Sequence, residues 1–120
     1  MFYLFQENRK SKKTDEISRP DYLVNGIWVI VAFEDTWYPG LVSHINQENK
    51  ELTIKFMHLC KGSEGKFQWP TKEDKTKVDI KFVIFVPLPP VSKNNNRTFE
   101  FEGTECIQVL YEKFKERYFV

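Results

Sequence analysis

Only after Asn25-Gly26 do apolar residues fall into a strand-like pattern. Ile27-Trp28-Val29-Ile30-Val31-Ala32-Phe33 is rich in β-branched and aromatic residues, which suit a pleated surface better than a short helix. Alternation puts Val29, Val31 and Phe33 on one face. After the polar break Glu34-Asp35-Thr36, the run from Trp37 to Ile45 predicts a second strand, with Tyr38, Gly40, Val42 and His44 on one side. Pro39 lacks an N–H and calls for an edge or a bulge; Gly40 beside it permits a sharp bend or a close backbone approach. Asn46-Gln47-Glu48-Asn49 turns the chain into a third strand, Leu52 to Leu59, with Leu52, Ile54, Phe56 and His58 aligned. Three such strands joined by short polar turns predict an antiparallel meander.

Beyond the loop Cys60 to Gly65, Lys66-Phe67-Gln68-Trp69 predicts a short fourth strand stopped by Pro70. Thr71 to Lys77 is expected to be a charged connector, its alternating signs continuing to Asp79 as a solvated loop. Lys81 to Val86 is almost continuously apolar, as in a strand buried on both sides, and Pro87-Leu88-Pro89-Pro90 ends it in an extended exit. Five short strands predict a small, strongly bent barrel closed to hide its edges. A polar loop and a short extended piece, Arg97 to Phe101, precede one helix. Thr104 is the expected N-cap, Glu105 complements the helix dipole, and Ile107, Leu110, Tyr111, Phe114 and Tyr118 form the stripe that packs on the barrel. The chain therefore divides into a flexible polar arm (residues 1–21), the barrel (22–91), and a loop, short strand and C-terminal helix packed on it (92–120).

Composition narrows the class. With 120 residues, 41% of them hydrophobic, the chain can build one core, which excludes disorder as its dominant state. Eighteen basic against seventeen acidic residues leave little bulk attraction to nucleic acid or to an anionic membrane. No apolar run approaches the roughly 20 residues that cross a bilayer, and Met1 to Phe5 is too short for a signal peptide. The two cysteines are expected to be reduced thiols of an intracellular protein. Cys60, Cys106, His44 and His58 lack the paired spacing of metal ligands, so no metal or cofactor is expected. Neither histidine belongs to a recognisable nucleophilic arrangement, and five glycines form no phosphate loop; the expectation is no enzyme. The outlying figure is the aromatic content of 16%, from eleven Phe, five Tyr and three Trp.

Those rings carry a family likeness. Trp28-Val29-x-Val31-x-Phe33, a short turn and Trp37-Tyr38-Pro39-Gly40-x-Val42 together resemble the opening of a Royal-family SH3-like barrel, the group that includes Tudor and PWWP domains. The resemblance implies a Tudor-like barrel that reads methylated lysine or arginine, in a histone or another nuclear protein, through an aromatic cage. Cation–π attraction is the chemistry, since a methylammonium is large, weakly hydrated and matched to ring faces. The cage positions fall on Phe33, Tyr38 and Phe56, with Trp37 as an alternative wall and Glu34 or Asp35 accepting a hydrogen bond from the ammonium. Past Phe56 the pattern departs: His58, Leu59, Cys60 and Lys61 stand where an aromatic residue and an Asn are expected. Phe33, Tyr38 and Phe56 also face inward, where a small barrel needs large side chains as filling, and Trp69 can either clamp the barrel or line a groove. Two other readings stay open: an interaction domain for an unmodified peptide or partner subunit, and a weak nucleic-acid-binding domain using the basic arm and Lys72 to Lys81 with Trp69 stacking on bases.

Overall fold

The computed structural model describes residues 26–62, 65–92, 94–95 and 97–119, so the expected arm at 1–21 lies outside the described residues. The chain is mainly β, with one C-terminal helix. Strands β1 (Trp28–Ala32), β2 (Trp37–Asn46) and β3 (Glu51–Phe56) form the expected meander. Two-residue strands β4 (His58–Leu59) and β5 (Phe67–Gln68) pair with each other. Strands β6 (Lys75–Asp79) and β7 (Val83–Phe85) follow, joined by the 3-10 turn Ile80–Phe82. The five long-range strands form one antiparallel sheet in the order β6-β3-β2-β1-β7.

Three expectations are corrected. The sheet is not a closed barrel: β6 and β7 are its two edges and do not pair. The apolar run expected at Lys81–Val86 supplies the buried edge strand β7, but the other edge is Lys75–Asp79, part of the segment expected to be a solvated loop. It pairs residue by residue with β3, Leu52 opposite Val78 and Lys55 opposite Lys75. Only Val78 of β6 is buried, because an edge strand needs one inward anchor while lysines along it discourage pairing with another chain. The expected fourth strand joins the small second sheet instead, and the segment after it is knitted on by the backbone bridges Phe67–Phe99 and Val91–Glu100.

The sheet has apolar side chains on both faces. The inner face gathers Val29, Val31, Val42, Leu52, Ile54, Phe56, Val78, Ile80, Val83 and Val86, with Phe33, Tyr38 and Phe82 against it. Both edge strands contribute to this one cluster, so the sheet coils around it. Helix α1 (Thr104–Tyr118) covers the β1–β7 half of the outer face, burying Ile107 and Tyr111 against Ile30, Ala32, Ile84 and Phe85. Its N-cap is Gly103, left-handed at φ 80°, and not Thr104 as expected. Beside the helix, Met57, Phe67 and Phe101 close a third cluster with Trp28, Trp37 and Phe99. Phe85 lies in the core as expected, while Phe82 is half-buried and stacks on Phe119.

Candidate ligand site

Of the seven residues singled out above, the fold brings Phe33, Tyr38 and Phe56 together. Phe33 follows β1, Tyr38 is the second residue of β2 and Phe56 ends β3, so the hairpin turn and the next strand deliver three rings to one end of the inner face. Their centroids are 5.5 Å (Phe33–Tyr38), 5.6 Å (Phe33–Phe56) and 6.4 Å (Tyr38–Phe56) apart, at 72–73° to one another. These are edge-to-face contacts, in which the positive edge of one ring meets the negative face of the next. Three rings, each nearly perpendicular to the other two, form the corner of a box. Phe56 is its floor, 3% exposed, whereas Phe33 and Tyr38 are half-buried and turn part of their surface to solvent.

The corner depends on a glycine. Gly40 lies directly opposite Phe56 on β3 and Val29 on β1. A Cβ there would collide with Ile54 Cγ2 and stand 3.0 Å from both Lys55 O and Phe56 Cδ1. Without a side chain at Gly40, β2 can pass close over β3 and the Phe56 ring can sit edge-to-face against Tyr38.

Carboxylates sit at the rim. Asp35 Oδ2 accepts the Tyr38 hydroxyl at 2.9 Å. Burial raises the Tyr38 phenol above its ordinary pKa, and the Asp35 hydrogen bond and the charges of Asp35 and Asp74 push the same way. Two residues that sequence reasoning passed over complete this rim. His58 places its imidazole 6.2 Å from the Tyr38 ring, and its Nε2 is 2.7 Å from Asp74 Oδ2. Asp74 also accepts the Phe56 N–H through its backbone carbonyl at 2.8 Å, so one residue anchors both the floor and the histidine. Alternation aligns His58 with Phe56 in the sequence, but nothing there marks it as part of the site. Asp74 lay in the supposed loop, where no signal pointed to it.

Glu34 reaches the site through its backbone. The Tyr111 hydroxyl of α1 donates to the Phe33 carbonyl at 2.6 Å and lies 3.1 Å from that of Glu34. The turn that presents Phe33 and Asp35 is thus tied to the helix on the other side of the sheet. Trp37 is not part of the corner: it faces the outer side, its ring 5.6 Å from Phe67, its indole N–H donating to Gln108 Oε1 at 3.1 Å. Trp69 lies elsewhere too, packed 5.8 Å from Trp28 with 37% of its surface exposed.

Among the described residues no group of three or more His, Cys, Asp or Glu could hold a metal ion, and no helix is long and apolar enough to cross a membrane. Both cysteines are free thiols, Cys60 buried and Cys106 half-buried. Comparison with protein-family models, with curated proteins and with solved structures finds no match.

Proposed function

We propose that this chain is a non-catalytic binding module of the Royal-family kind, taking a methylated lysine or arginine of a histone or another nuclear protein at the Phe33–Tyr38–Phe56 corner. The observation that carries the reading is three mutually near-perpendicular rings with Asp35 and Asp74 at their rim. Ring faces attract a weakly hydrated cation, and nearby carboxylates add to that attraction where water is partly excluded. The solvent sides of Phe33, Tyr38 and His58 are the surfaces a ligand would meet, because Phe56 is covered. Two features support a barrel-like ancestry for the open sheet: its edge strands are consecutive in the chain and joined by one 3-10 turn, and both feed the same inner cluster.

Titration of the protein with methylated and unmodified lysine and arginine peptides tests this reading. The methylated peptides should bind measurably tighter, and Phe33→Ala or Tyr38→Ala should abolish the difference. Equal affinity for both peptide sets, unchanged in these variants, would refute it. A second reading, an interface for an unmodified partner, has support from the exposed apolar side chains Leu59, Leu88 and Val91. In that case Leu59→Ser or Leu88→Ser, not Phe33→Ala, would weaken the complex.

A further inference from the structure

The outer face of the sheet is covered only in part. Helix α1 and the β4–β5 hairpin occupy the side of β1 and β7, while the outer side chains of β6 are exposed and those of β3 half-buried. Strand register lines these open side chains into rows. Lys75 is opposite Lys55, Lys55 is opposite Leu41, and Leu41 is opposite Trp28, so one row crosses four strands. At about 4.8 Å per strand it spans about 14 Å. Trp69 stands at the Trp28 end with its indole against Trp28 and part of its ring in water. The next row carries Lys77, Thr53 and His44.

Two features of this surface are not accounted for by packing alone. Lys55 and Lys75 form a like-charge pair directly across two strands, an arrangement that destabilises a sheet. Glu73 offsets Lys55 at 3.5 Å, yet among the described residues no carboxylate lies within ion-pair distance of Lys75 or Lys77. The acidic pair Glu51–Asp79 lies at the far end of the same two strands, away from Trp69. A partly exposed indole at one end of a row whose other end carries two lysines is a combination that a protein core does not require.

We infer that this open face, from Trp69 across Lys55 to Lys75 and Lys77, binds a single-stranded nucleic acid. The lysines meet backbone phosphates, and a base stacks on the exposed face of Trp69. Single strands fit better than duplex, whose base faces are already stacked on one another. The acidic side chains of a peptide would satisfy the lysines but offer Trp69 no ring to stack on, whereas every base of a single strand does. This surface lies across the sheet from the Phe33–Tyr38–Phe56 corner, so it stands whether or not that corner reads methylated side chains.

The test is fluorescence titration of the whole chain with a short labelled oligo(dT) over a salt series. Saturable binding is expected, weakening with salt. Trp69→Ala should lower affinity about fivefold or more through lost stacking. Lys75→Gln with Lys77→Gln, both exposed positions, should reduce the slope of log affinity against log salt by about 1.4, at ~0.7 per phosphate contact on a single strand. Phe33→Ala should leave binding unchanged. The inference is overturned by absence of binding at low salt, by a matched duplex binding as well as the single strand, by equal competition from oligoglutamate, or by lysine variants with an unaltered salt slope.

Discussion

Gly40 shows how little room a binding corner leaves for variation. Its ordinary backbone conformation would accept any residue, so the constraint is purely the space taken by Ile54, the Lys55 carbonyl and the Phe56 ring. Gly40→Ala must push β2 away from β3 or turn Phe56 out of its place beneath Tyr38. Overpacking of this kind costs about 1–3 kcal/mol. Chemical denaturation should therefore show a lower midpoint for Gly40→Ala, and the Phe56 ring resonances should shift with it. A variant as stable as the parent, with Phe56 unmoved, would show that the sheet gives way more easily than its packing suggests. Tyr38 is constrained differently, through the single hydrogen bond to Asp35.

Helix α1 does more than cover apolar surface, because the Tyr111 hydroxyl reaches the β1–β2 turn and holds it by its carbonyls. Tyr111→Phe keeps the ring against Ile30 and Phe85 but removes the donor. The expected cost is about 1 kcal/mol, read as a lower denaturation midpoint with faster amide exchange in residues 33–36; exchange unchanged in that turn would mean the turn holds itself. The same elements show what can be read from the residues alone. The helix was legible because Ile107, Leu110, Tyr111 and Phe114 repeat at its period, and the meander because its strands alternate. Strand β6 was not, because Lys75, Thr76 and Lys77 look solvated, and they are; their strand character lies in backbone pairing to β3, which no side chain announces. Alternation also put Trp37 correctly on the side away from Val42. It does not reveal that α1 and β5 cover the ring there, which is why Trp37 stands in the sequence as an alternative wall. Phe33, Tyr38 and Phe56 were legible as a trio because period-two spacing fixes their face. The rim of Asp74 and His58 required the long-range pairing of β6.

At the scale of the whole molecule, two phenols link stability to pH. Burial, the leading cause, and nearby carboxylates raise both Tyr38 and Tyr111, so the folded chain keeps these protons to higher pH than the unfolded chain does. Their contribution is complete below the unfolded value of about 10 and is lost as pH rises through the folded values. The denaturation midpoint should fall above about pH 10 and fall less steeply when both are replaced by Phe; parallel curves would rule the linkage out. Apolar cover on both faces of β1 has another result at this scale. In a strand with one wet face, sliding by a single residue turns its greasy side to water, and the penalty enforces the right alignment. Val29, Ile30, Val31 and Ala32 are all buried, so hydrophobicity alone cannot tell this strand from its shifted copy. Volume has to make the distinction. Shifted one place against β3, the second strand would put Pro39 or Leu41 opposite Phe56, where only Gly40 leaves room, so a missing side chain acts as the alignment mark of the sheet.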